Sequence, residues 1–177
     1  MNIPNNKRRK QSQEKIEKIF IELLQTKELN QISVTDICKL THLNRSTFYA
    51  NYIDIYDLAD KLKEKLENEI SQIYADEIVN QYNSNNFLKL FTHIKENQLF
   101  YKTYFKLGFD NNYKIFYYDT NLSREYFKDT FINYHIEFFK NGLNSVIKLW
   151  LKNNCQESPE EINSIIESEY LIKRLKD

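Results

Sequence analysis

The sequence predicts an all-α protein, and three observations carry that prediction. Only two Gly and two Pro occur in 177 residues, too few for the tight turns of a many-stranded fold. Apolar residues recur at spacings of three and four through most of the chain, the period of a helix with one buried face. Helix start signals precede three of these segments: SVTD, DIYD and SPEE, each a Ser or Asp with an acidic residue three positions on.

The elements follow in order. From Gln11 the first helix places Ile16, Ile19, Phe20, Leu23 and Leu24 on one face, and its pattern fades near Thr26–Asn30. Ser33 caps a brief second helix through its hydroxyl, with Asp36 reaching back to the cap amide and Val34, Ile37 and Cys38 facing inward. THLN (41–44) is a turn, and LNRSTFYANY (43–52) holds a short third helix. Asp54 caps a long fourth helix, where Leu58, Leu62, Leu66, Ile70 and Ile73 repeat to about Val79.

Of the 25 Tyr and Phe residues, 20 lie from Tyr74 onward, so the second half is a more aromatic helical body. Helices are predicted near 84–97 and 98–107, an irregular stretch over Gly108–Asn121, and a long helix over 122–153. In that long helix Ile132, Ile136, Phe139, Leu143, Val146 and Trp150 step 4-3-4-3-4, the spacing of a helix-packing seam. Gly142 within it costs about 1 kcal/mol relative to Ala, which a close helix approach could offset. The last helix opens with Ser158 as cap, Pro159 at the first position and Glu161 as capping-box partner, and turns Ile162, Ile165, Ile166 and Tyr170 to one face.

Composition narrows the function classes. Hydrophobic residues are 41% and charged residues 28%, an ordinary globular balance. No apolar run approaches the roughly 20 residues that span a bilayer, and MNIPNNKRRK has no apolar core behind its charges, so neither a membrane segment nor a signal peptide is expected. Cys38 and Cys155 lack metal or redox spacing and read as free thiols in a reducing cytoplasm. The zero net charge hides an offset: residues 1–65 hold 12 Lys/Arg against 9 Asp/Glu, and the remainder 13 against 16. The basic half suits an anionic partner.

LNRSTFYANY lies in that half. Three short helices and the start of a long one enclose a small core of Ile16, Phe20, Leu23, Val34, Ile37, Leu43, Phe48 and Leu58. The helix after the tight turn cannot bury its first residues, so Asn44, Arg45, Ser46 and Thr47 face outward while Phe48 anchors it. Such a helix-turn-helix places the tip of its second helix on base edges in a DNA major groove. The run Lys7, Arg8, Arg9 and Lys10 is either a solvated tail or an arm reaching phosphates and the minor groove.

ISVTDICKLTHLNRSTFYANYIDIYDL (32–58) resembles the TetR family of bacterial transcription regulators: start signal, short helix, turn, T-F-Y, then an aromatic three residues after the Tyr. The resemblance implies a DNA-binding head at 1–55 and a helical dimerisation and effector region at 56–177. It implies that Thr35 touches phosphate, that Asn44, Arg45, Ser46 and Thr47 face bases and phosphates, and that Tyr49 meets the DNA backbone, with Phe48 and Tyr52 in the core. Two positions depart from the family's pattern. His42 stands where Gly is usual in the turn, a site that wants positive φ, which His tolerates somewhat. Ile55 stands where a phosphate-binding Lys is common, which removes one electrostatic contact. The C-terminal YHIEFFKNGLNSVIKLWLKNN followed by SPEE resembles a branch related to regulators of dihydroxyacetone kinase operons.

The expected function is a cytoplasmic transcriptional regulator, a repressor by this reading. It binds a palindromic double-stranded DNA operator as a homodimer, with a small-molecule effector acting on the C-terminal half. The expected dimer interface is the Ile132–Trp150 seam with Ile162 and Ile166 of the last helix. The alternative is a helical protein–protein adaptor or co-activator of the same fold that reads no operator; a third class is a small-molecule binder or enzyme working through the aromatic half. No G-x-S-x-G, H-E-x-x-H or phosphate-cradling Gly loop occurs, and His93 and His135 lack metal-like partners at helical spacing. Accordingly no catalytic residue, metal or cofactor is expected.

Overall fold

The computed structural model describes residues 3–80, 87–109 and 131–171. Among these residues every regular element is helical: α1 (Ile3–Leu24), a 3-10 turn (Leu29–Gln31), α2 (Val34–Thr41), α3 (Arg45–Tyr49), α4 (Ile55–Ile73), α5 (Ala75–Asn80), α6 (Leu88–Glu96), α7 (Gln98–Lys106), α8 (Ile132–Lys152) and α9 (Pro159–Leu171). The fold class is all-α, as the sequence predicts. Two compact units result, Met1–Asn68 and Glu69–Asp177.

In the first unit α1 packs on α2 and α2 on α3. Ile16, Phe20, Ile37, Phe48 and Leu58 are buried as expected, whereas Leu23, Val34 and Leu43 are half-buried; Leu24, Ile32, Tyr52, Ile55, Leu62 and Leu66 are buried as well. The capping box forms at α2: Asp36 N donates to Ser33 Oγ at 3.1 Å, and Ser33 N to Asp36 Oδ2 at 3.2 Å. Asp54 caps α4 as expected, its Oδ1 accepting from Tyr56 N and Asp57 N at 2.8 Å each.

Helix α4 was expected to run unbroken to about Val79. It stops at Ile73 instead, and α5 resumes after the turn at Tyr74, with neither Gly nor Pro to signal the break. In the second unit α9 packs on α6, and α7 on both α6 and α8. Leu90, Phe91, Ile94, Tyr101, Tyr104, Leu143, Ile147, Trp150 and Ile162 are buried there. The α9 box also forms, with Glu161 N donating to Ser158 Oγ at 3.1 Å. Of the long helix expected over 122–153, residues 122–130 lie outside the described residues, as do 84–86 and most of the Gly108–Asn121 stretch.

The seam expectation needs correction. Phe139, Leu143, Trp150, Ile162 and Ile166 are buried within the protein's own second unit, and Ile132, Ile136 and Val146 are half-buried. Trp150 meets Phe91 of α6 edge-on at 6.0 Å and donates through Nε1 to Glu157 O at 3.2 Å; Phe139 meets Phe87 at 5.7 Å. Residues already withdrawn from water have next to no surface to give a partner. The exposed apolar residues of α8 are different ones: Tyr134, Phe138 and Leu149, with Phe131 just before the helix; Ile165 of α9 is exposed too. Gly142 is also exposed, and a Cβ there would meet nothing within 4 Å, so among the described residues no close helix approach offsets its cost.

Candidate nucleic-acid interface

The interface is built from the turn between α2 and α3. Leu43 N donates to Cys38 O at 3.2 Å and the amide of His42 bonds the same carbonyl, closing α2. His42 itself adopts φ 56°, ψ 34°, the left-handed conformation expected at this site. The chain thereby reverses fast enough to start α3 three residues later.

Helix α3 is five residues long and presents its first turn to solvent. Asn44 precedes it in an extended conformation, its side chain making no cap bond; Asn44, Arg45 and Ser46 are exposed and Thr47 half-exposed. Phe48 is completely buried, with Tyr49 edge-on to it at 5.6 Å and Tyr52 at 5.6 Å. Tyr49 is 53% exposed, so its phenol lies at the rim of the core with its far side in water. Thr35 is exposed near the start of α2. One turn on, at i+4, stands exposed Lys39, a cation the sequence reading passes over although its spacing from Thr35 signals a shared face.

The start of α4 has the opposite character. Ile55 is 7% exposed and packs inward. Ile53 N donates to Asp57 Oδ2 at 2.8 Å, so with Asp54 two carboxylates occupy the amides that a phosphate could otherwise use. Hydrogen bonds from Lys61 and from the Ile53 amide hold the Asp57 carboxyl below its ordinary range.

The basic run is helical and not an extended arm. Lys7, Arg8, Arg9 and Lys10 lie inside α1, exposed but helical. A helix about 10–12 Å across does not enter a minor groove about 6 Å wide. Arg9 Nε points back to the fold, donating to Asn51 Oδ1 at 3.0 Å. In the second unit, His93 Nδ1 lies 2.8 Å from the Tyr101 hydroxyl, beside an open depression of about 450 Å³ lined by Ile73, Leu88, Lys89, Thr92, His93 and Glu96.

A TetR-type family model, described as a transcriptional regulator C-terminal region, matches residues 81–168. A curated relative is the HTH-type dhaKLM operon transcriptional activator DhaS of Lactococcus lactis subsp. lactis (strain IL1403), 32% identical over 106 residues, which are 60% of this chain and 54% of the relative. The chain thus matches about half the length of that curated relative. The chain belongs to the TetR family of transcriptional regulators. A solved structure, the dihydroxyacetone kinase operon activator DhaS, shares the fold of this TetR-family chain, with a TM-score of 0.51 and 21% identity over 92% of this chain and 95% of that one. His42 and Ile55 are the two departures from the family's pattern noted in the sequence. The first takes the left-handed turn without Gly, and the second leaves an apolar, carboxylate-capped end on α4.

Proposed function

We propose that this TetR-family regulator reads a palindromic double-stranded DNA operator through α3, as a homodimer. Asn44, Arg45, Ser46 and Thr47 meet bases and phosphates, while Thr35 and Tyr49 meet the backbone. The observation that supports this most is the polar, exposed tip of α3 set one residue from a fully buried Phe48. A rigid root and a free tip are what major-groove reading requires. Residues 1–55 form the reading head, and 56–177 serve dimerisation and effector response. The effector rests on family likeness alone. Action on DNA places the protein in the cytoplasm, by binding and without catalysis; no helix among the described residues is long and apolar enough to cross a membrane.

The dimer forms through the exposed stripe of α8, not the buried seam. Tyr134 and Phe138 are 77% and 80% exposed, and Leu149 and Ile165 are exposed too. Burying such side chains gains about 1.5–3 kcal/mol each, and Gly142 on this face admits close approach of a second helix. Two heads on a two-fold axis would meet successive major grooves about 34–36 Å apart.

Repression follows from the family resemblance; the names of both relatives, which say activator, favour activation as the second reading. Genomic footprinting followed by gel-shift titration tests the proposal. A shift confined to footprinted sequences is expected, and transcription with and without the protein gives the sign. Weak shifts alike on all DNA would favour an adaptor that reads no operator.

A further inference from the structure

We propose that Asn51, held from α1 by Arg9, is a positioning residue that sets the pose of the DNA-reading tip. A five-residue helix cannot hold itself together, because nucleation costs more than so few bonds return. Helix α3 has no side-chain cap at its start, so its end must be secured from outside.

Asn51 does this. In a continuing helix its backbone N–H would close on the Thr47 carbonyl; here that N–H turns to Phe48 O at 2.9 Å. The side-chain amide takes over the abandoned acceptor, Nδ2 donating to Thr47 O at 2.8 Å. The other end of the amide accepts from Arg9 Nε at 3.0 Å, and the Asn51 carbonyl accepts from Lys61 Nζ at 3.1 Å. Asn51 is 7% exposed, so these bonds are sheltered from competing water. Each end of the amide has one fitting partner, which fixes its orientation.

Arg9 therefore acts on DNA through Asn51 and α3, despite sitting in the most basic run of the chain. This rests on the proposed operator reading, yet the relay has a readout without DNA. Gln carries an N–H on Cδ where Arg carries Nε, without the charge, so Arg9→Gln keeps the bond and deletes the cation.

The test compares R9A, R9Q and N51A with the wild type in the full chain. R9A and N51A are expected to weaken operator binding by about 3- to 10-fold and R9Q by no more than about 2-fold. Non-specific affinity should fall less than operator affinity, with the salt slope unchanged. In the absence of DNA, hydrogen exchange at the Ala50 and Tyr52 amides should quicken in R9A and N51A and stay as in wild type in R9Q. If R9Q falls as far as R9A and the slope of log K against log salt shrinks by about 0.9, Arg9 is a phosphate contact and the relay is overturned. Should wild type read no operator, the functional proposal fails, while exchange still decides the relay: equal rates in all four proteins overturn it.

Discussion

The hydroxyl of Tyr52 donates to Oε1 of Glu17 across 3.1 Å, tying the chain just beyond α3 to α1, 35 positions earlier. Oε2 of Glu17 takes Lys65 of α4 at 2.8 Å, and Lys61 lies 5.3 Å from the Tyr52 ring centroid. Two helices, α1 and α4, thus meet the segment after α3 at one phenol that is 2% exposed.

Tyr52→Phe should cost about 1 kcal/mol, discounted from the value of a bond to a fully buried charge because Glu17 is partly solvated. Burial first, then the Glu17 carboxylate, raises the Tyr52 phenol far above its ordinary value of 10, and burial does the same to Tyr101. The folded state therefore keeps protons that the unfolded chain sheds. Stability from these groups is full below pH 10 and falls as pH rises beyond it. Urea midpoints measured up to about pH 11 should drop, and less steeply in Tyr52→Phe; a wild-type midpoint flat across that range would contradict the burial argument.

Ser33→Ala removes the hydroxyl half of the α2 capping box and should destabilise the head by about 0.5–2 kcal/mol. The Asp36 carboxyl is held below its ordinary 3.8, chiefly by the Ser33 side chain and then by its amide. A depressed carboxyl contributes above the unfolded value and loses that contribution as pH falls below it. Acid titration of the variant should therefore fall less steeply below pH 3.8 than wild type. Parallel curves would mean that the Ser33 hydroxyl does not hold the Asp36 carboxyl down.

These boxes are legible in the sequence because each needs only four consecutive residues, as with Ser33–Asp36 and Ser158–Glu161. The inward turn of Phe48 is legible for the same reason. Longer-range partners are not. Arg9 finds Asn51 42 positions away, and a run of cations carries no mark of which one bends back to the fold. In α8 the 4-3 spacing of Leu143 and Trp150 identifies a buried face, but periodicity is silent on whether Phe91 of the same chain or a second copy covers it.

His42→Gly should raise stability by up to about 1 kcal/mol, since relief of left-handed strain of about 1–2 kcal/mol exceeds the added freedom of the unfolded chain. His42→Val should lower it by more than that, as a β-branched residue fits φ 56° poorly. Thermal melts of the three proteins must rank Gly, His, Val for the strain argument to stand.

Arg45→Ala should cost about 1–3 kcal/mol of operator affinity and relax preference at one base pair if the guanidinium reads guanine. If it meets only phosphate, affinity should fall evenly across sequences with a salt slope shallower by about 0.9. A binding isotherm identical to wild type would remove Arg45 from the interface.

Phe138→Glu and Trp150→Ala separate the two faces of α8. Phe138 is 80% exposed, so a carboxylate there leaves each folded chain intact but places two like charges in the proposed dimer contact. Sedimentation should show a folded monomer, with operator binding lost or strongly dependent on protein concentration. Trp150 is 2% exposed and fills the second unit, so its truncation should cost about 3–5 kcal/mol. That loss should appear as unfolding and not as clean dissociation. Were Phe138→Glu still a dimer, the copies would have to pair through some other surface, and the stripe of Tyr134, Phe138 and Leu149 would need a different occupant.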